Sequence, residues 1–199
     1  TARAITAGAP ALFGAAVNGH DAIVRALRDA GADKDLAMND GATPLFTAAL
    51  NGHDAVVRAL LDAGADKDLE DNKGFTPLYI AALKGHDAVV HALLDAGADK
   101  DLAKNDGVTP LLMAAQQGHD AIVSALLDAG ADKDRTNTDG RTPLFMAARN
   151  GHDAVVRALL DAGADKALAL NNGATPLTVA AESGRDAVVR TPPDAGAGK

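Results

Sequence analysis

The chain reads as an all-α stack of helix–turn–helix repeats, and three observations predict it. Thr43-Pro44-Leu45 recurs at Thr76-Pro77-Leu78, Thr109-Pro110-Leu111, Thr142-Pro143-Leu144 and Thr175-Pro176-Leu177, a fixed step of 33 residues. A period of that size marks units that can bury their apolar faces only on their neighbours. Hydrophobic residues make up 47% of the chain but aromatics only 3%, which suits thin layers of closely packed small helices better than one thick core. Each helical segment also falls under the ~12–15 residues at which an isolated helix is marginal in water, so each must lean on the next.

Taken in order, one repeat runs as follows. Asn39-Asp40-Gly41 is a turn, with glycine permitting positive φ. Thr43 caps a first helix with its hydroxyl, and Pro44 takes the first helical position, where its missing N–H costs nothing. Leu45, Ala48 and Ala49 form the buried side of that helix, which stops at Asn51-Gly52. Asp54 opens a second helix and caps it, its charge at the positive end of the macrodipole. Val56, Val57, Leu60 and Leu61 share one face by spacing, and Gly64 supplies the left-handed C-cap. The repeats fall at about 6–38, 39–71, 72–104, 105–137 and 138–170, with 171–190 incomplete. Together they are read as one domain over 1–190, followed by a loose tail over 191–199.

The two ends depart from the pattern. Pro10-Ala11-Leu12 stands where Thr-Pro-Leu is expected, Gly14 lies inside the first helix, and Arg28 replaces a leucine, as suits a terminal repeat facing water. The last repeat carries Arg185 in place of the recurrent histidine and Thr191-Pro192-Pro193 in place of Ala-Leu-Leu. Proline inside a helix costs ~3 kcal/mol or more, so the final helix is expected to end near Val189 or Arg190. An uncapped end of this kind is expected to mean either that a following segment is missing or that an otherwise monomeric chain self-associates weakly there.

The net charge is −8, but 21 of the 27 acidic residues occupy four repeated framework slots, beginning at Asp21, Asp29, Asp33 and Asp35. The charge therefore belongs to the scaffold and its solubility. It argues against a nucleic-acid partner, which would need a basic stripe. There is no cysteine, which removes disulfides and cysteine-based zinc sites and leans toward an intracellular location. No apolar run approaches the ~20 residues of a membrane span, and no signal peptide is visible. The start at Thr1 fits a piece of a longer chain.

Thr-Pro-Leu, the paired alanines (Ala48-Ala49), Gly-His (Gly52-His53), the Val-Val/Leu-Leu helix and Gly-Ala-Asp (Gly64-Ala65-Asp66) together resemble the ankyrin repeat over nearly the whole chain. The resemblance implies a solenoid of antiparallel helix pairs with protruding β-hairpin-like turns, acting as a protein-binding surface and not as an enzyme. Two departures stand out. The histidine that usually follows Thr-Pro-Leu is Phe46, Tyr79, Leu112, Phe145 or Thr178, so apolar packing is expected to replace its hydrogen bond. Lys34, Lys67, Lys100, Lys133 and Lys166 fill the slot usually held by valine, and Leu36, Leu69 and Leu102 are expected to supply the lost packing.

Repeated chemistry here reads as framework. His20-Asp21, His53-Asp54, His86-Asp87, His119-Asp120 and His152-Asp153 could be taken for acid–base pairs or metal ligands. A catalytic group is singular, whereas this pair appears once per unit, so the histidines are expected to bond backbone across repeats. His91 is an outer-face substitution for Arg58. Asp99-Lys100-Asp101 lacks the remaining ligands of a calcium loop, and Gly196-Ala197-Gly198-Lys199 lacks those of a phosphate loop. No nucleophile–base set assembles, and no cofactor or metal is implied.

The slots that differ between repeats point to function. In ankyrin repeats they face the turn tips and the concave groove. Here they form an apolar patch (Phe75, Leu83, Val108) beside a polar and cationic one (Gln116, Gln117, Arg141, Arg149), with Lys73, Lys84 and Asn150 adjoining. An aromatic beside arginine is the composition of binding hot spots, and drift at exposed sites is the plain alternative. The reading is a non-catalytic scaffold binding a protein or extended peptide on the concave face. The alternatives are a regulatory or targeting segment of a larger protein, and a structural or designed stack without a natural ligand.

Overall fold

Helix termini set by threonine, proline and glycine recur throughout the computed structural model, which describes residues 2–170 and 173–182. Among these residues every regular element is a helix. The expected helix end near Val189, the 191–199 tail, Arg185 and the second helix of the last repeat lie outside the described residues.

The chain divides into two compact units, Thr1–Pro110 and Leu111–Lys199. The first holds α1 (Ala2–Val17), α2 (Asp21–Asp29), α3 (Pro44–Leu50), α4 (Asp54–Asp62), α5 (Pro77–Lys84) and α6 (Asp87–Asp95). Here α1, α3 and α5 form one row and α2, α4 and α6 the other, each first helix also packing on its own second helix. The boundary falls at the start of α7 (Pro110–Gln117). The second unit continues with α8 (Asp120–Asp128), α9 (Pro143–Asn150), α10 (Asp153–Asp161) and α11 (Pro176–Glu182). In it α9 packs on α10 and α11, and α8 on α10.

The threonine cap forms as the sequence predicts. Thr43, Thr76 and Thr142 are extended, and each Oγ1 accepts the N–H three residues on, from Phe46, Tyr79 and Phe145, at 3.0–3.1 Å. The residues replacing the usual histidine are core: Phe46, Tyr79, Leu112 and Phe145 are 1–6% exposed. Val56, Val57 and Leu60 are buried with Ala59, while Leu61 stays half-exposed. Each fully buried Val or Leu contributes roughly 1.5–3 kcal/mol.

Four expectations change in detail. Asp54 and its counterparts do not cap: the cap position is held by His53, His86 and His152, with no side-chain cap hydrogen bond, and the aspartate sits one residue later in the first turn. The turns are closed by single backbone rungs without a strand ladder, for example Asp71 N–H to Phe75 C=O at 3.0 Å. Leu36 is 45% exposed, so it does not restore the packing of a valine, whereas its counterparts Leu69 and Leu102 are half-buried. The stem of Lys34 runs alongside the next repeat, its Cε 3.9 Å from where a β-carbon on Gly64 would lie. Finally, α1 does not begin at the Pro10 slot but runs through it from Ala2. Without the Thr-Pro start signal, helix geometry continues past the point where the other repeats turn.

Candidate functional site

Side-chain hydrogen bonds to backbone carbonyls and N–H groups make the framework. His53, His86 and His152 each bring Nε2 within 2.9–3.1 Å of a carbonyl oxygen 36 residues earlier, on Val17, Leu50 and Gln116. An imidazole facing a carbonyl oxygen at this distance donates from Nε2, so these rings are hydrogen-bonding struts. The Asp-x-Asp runs are a relay of the same kind. Asp35 Oδ1 accepts from Asp66 N–H at 2.9 Å, Asp66 Oδ1 from Asp68 N–H at 3.0 Å, and Asp68 Oδ1 from Asp99 N–H at 2.9 Å. In the second unit Asp134 Oδ1 likewise accepts from Asp165 N–H at 2.8 Å. Among the described residues no three His, Cys, Asp or Glu side chains converge as metal ligands. No described helix is long and apolar enough to cross a membrane.

In the first unit Lys73, Phe75 and Val108 lie at the turn tips, and Leu83 and Lys84 at the last turn of α5. Asp71 Oδ1 accepts from both Lys73 N–H and Phe75 N–H at 2.9 Å, and Gly74 N–H returns to the Asp71 carbonyl at 2.9 Å. The same tip is tied back to the preceding one, where Asn72 N–H and Nδ2 donate to the carbonyls of Asp40 and Asn39, both at 2.9 Å. Phe75 is thereby held half-buried, stacked on Tyr79 with ring centroids 5.0 Å apart. Lys104 Nζ lies 5.4 Å from the Phe75 centroid, within cation–π range, and 2.8 Å from Asp106. Lys73 and Lys84 are exposed and Leu83 is half-buried. Val108 is only 8% exposed, so it packs the tip and offers little surface.

Electrostatics follow that geometry. The hydrogen bond from Lys104, assisted by the Val108 N–H, holds the Asp106 carboxyl below its usual range, against a smaller opposing effect of burial. Burial first, and the Asp106 charge second, push the Tyr79 phenol up to about 12.

In the second unit Gln116 is half-buried, and its carbonyl accepts from both Asn150 Nδ2 at 2.7 Å and His152 Nε2 at 3.0 Å. Asn150 therefore ties adjacent repeats together. Gln117 is exposed with Nε2 3.7 Å from Met113 Sδ. Arg141 reaches Asp139 at 3.3 Å, which offsets part of its charge, while Arg149 is exposed in the last turn of α9.

The sequence reading missed Lys104, the cation that covers Phe75. A signal was present: its slot reads Met38, Asp71, Lys104, Asn137 and Leu170, as variable as any that was singled out. The second-helix face of the first unit carries a depression of about 270 Å³ lined by Arg58, Leu61, Asp62, Ala92, Asp95 and Ala96.

A family model described as Ankyrin repeats (3 copies) matches the chain over four overlapping spans, residues 12–104, 64–137, 88–170 and 111–191. No curated protein is significantly similar to it.

Proposed function

Because the chain belongs to the ankyrin-repeat family, whose members are generally protein–protein interaction modules and typically non-catalytic, we propose that it binds a protein or extended peptide on the face formed by turn tips and first helices. The observation that supports this most is the tip around Phe75. A half-exposed aromatic ring, covered by one cation and with exposed Lys73 on the same tip, sits on a turn fixed by backbone hydrogen bonds. A preformed surface of that kind loses little entropy on association, and aromatic anchors beside cations dominate interface energies. Leu83 extends the apolar part. In the second unit, Gln116, Gln117, Arg141, Arg149 and Asn150 form a separate polar surface that favours acidic groups.

The test is affinity capture from a source lysate with mass spectrometry, followed by titration of the captured protein. The parent chain is compared with Phe75→Ala/Leu83→Ala and with Arg141→Glu/Arg149→Glu. A partner held by the parent and weakened at least tenfold by either pair supports the reading. A partner held equally by all three refutes it, and the second-helix depression becomes the next surface to mutate.

A further inference from the structure

The depression on the second-helix face of the first unit lies between α4 and α6. Its inner lining is apolar, with Leu61 half-buried and Ala92 only 3% exposed, and Ala96 continues it to the surface. The rest of the lining is charged and exposed: Arg58 and Asp62 from α4, and Asp95 from α6. Its volume of about 270 Å³ falls short of the roughly 300–1,000 Å³ of small-molecule sites. The space suits one side chain of a macromolecular partner.

The charges decide which side chain. Arg58 is turned to Asp54, its Nε 3.0 and 3.2 Å from the two carboxylate oxygens, so its charge is offset within α4. Asp62 and Asp95 have no ion-pair or side-chain hydrogen-bond partner among the described residues. Each is the last residue of its helix, where the terminal carbonyls add to the negative potential and favour a cation.

The first repeat shows what this slot accepts. There Arg28 stands in the place of Leu61, and its guanidinium meets Asp29, the counterpart of Asp62, at 2.8 Å. The chain supplies its own cation to that carboxylate. In the next two repeats leucine holds the arginine's place, as Leu61 and Leu94, and His91 takes the slot of Arg58. The two carboxylates beside the depression are therefore left for a cation from outside.

A purely apolar anchor would strip water from both carboxylates at a cost, and an acidic one would be repelled. Lysine meets both parts of the lining. Its stem lies along Leu61, Ala92 and Ala96 while the ammonium stays at the rim, where its rotatable donors turn to carboxylates on either wall. A guanidinium fork fits one carboxylate better than two set on separate helices.

We propose that the depression between α4 and α6 is a docking site for a lysine side chain of a basic partner segment, sharing no residue with the Phe75 tip. The test is titration of the isotope-labelled full chain with acetylated, amidated tetralysine near pH 6, read from backbone amide shifts. The expected result is saturable shifts at Leu61, Asp62, Asp95 and Ala96. Asp62→Asn/Asp95→Asn should weaken the affinity read there by about fivefold with an unchanged helical spectrum. Asp128→Asn/Asp161→Asn removes the same charge from the second unit and should leave that affinity unchanged. A tetrapeptide of 2,4-diaminobutyric acid, with equal charge and a stem two carbons shorter, should bind about threefold more weakly or worse. Tetralysine that produces no saturable shift at the lining residues overturns the proposal. So does equal weakening by the two charge-removing pairs, which would mean attraction to net charge alone, or equal affinity for the short-stemmed peptide, which would mean that no stem enters. Phe75→Ala/Leu83→Ala should leave tetralysine binding unchanged, which separates this site from the tip surface.

Discussion

The imidazole of His86 closes over Gly52: a β-carbon on the glycine would sit 2.7 Å from Nδ1, while Nε2 of the same ring lies 3.1 Å from the Leu50 carbonyl oxygen. Gly52 also has φ of 73°, where an L side chain costs about 1–2 kcal/mol. Gly52→Ala should therefore destabilise by at least that much, through both strain and collision. His86→Ala should cost about 1 kcal/mol for the lost hydrogen bond. With the ring gone, the collision disappears, so the double variant should be more stable than the sum of the single losses predicts. Urea midpoints of the four proteins measure this, and strict additivity would mean that the ring does not press on the glycine.

The aspartate relay gives a second test. Asp68 Oδ1 accepts the Asp99 N–H of the next repeat at 2.9 Å. Asp68→Asn keeps an oxygen acceptor there, and Asp68→Ala does not. The alanine variant should lose about 1 kcal/mol and the asparagine variant less than half as much. Amide exchange at Asp99 should accelerate in the alanine variant alone. Equal acceleration in both would point to charge, not acceptor geometry, as what the slot requires.

These two features show how far the sequence could be read. The period, the helix starts at Thr43-Pro44 and the buried Val56 and Leu60 follow from local rules that hold in every repeat. The partners of His86 and Asp68 lie one repeat away, at 36 and 31 residues, and only the struts of histidine to backbone could be anticipated. The aspartates read locally as helix caps or loop anions, because nothing in a single repeat says that the acceptor serves the next one. At the candidate site, Phe75 and Leu83 were legible as slots that vary, but their exposure was not. Val108 varies and is nevertheless buried, since the turn folds it inward, and Lys104 was overlooked because its slot lies just before the tip.

The threonine cap can be weighed separately from the packing around it. Thr142 is 1% exposed and its Oγ1 accepts the Phe145 N–H at 3.1 Å. Thr142→Val preserves shape and leaves that N–H unpaired, at a cost of about 1 kcal/mol, with a range of roughly 0.5–2. Thr142→Ser should retain most of the cap. Thermal unfolding of both should rank parent, serine, valine in falling order. A valine variant as stable as the parent would mean that the cap contributes nothing beyond its methyl group.

Tyr79 reports on the tip itself, because it is the only tyrosine and there is no tryptophan. Its folded pKa is raised from near 10 to about 12, first by burial and then by Asp106. A raised value means that the fold favours the neutral phenol. The stability it contributes is complete below the unfolded value near 10 and is lost as pH rises through about 12. Phenolate absorbance should thus appear near pH 12 while the helical spectrum persists, and Asp106→Asn should lower the midpoint only slightly, since burial is the larger cause. Asp106 itself has the opposite sign. Its lowered folded pKa gives stability above the usual carboxylate range that is lost as pH falls through the lower value, an effect kept small by its 43% exposure. Lys104→Met removes the main donor, so that acid-side contribution should shrink with it, leaving what the Val108 N–H supplies. Ionisation of Tyr79 near pH 10 in a folded chain would mean that the ring is not packed beneath Phe75, and the preformed tip on which the binding surface depends would go with it.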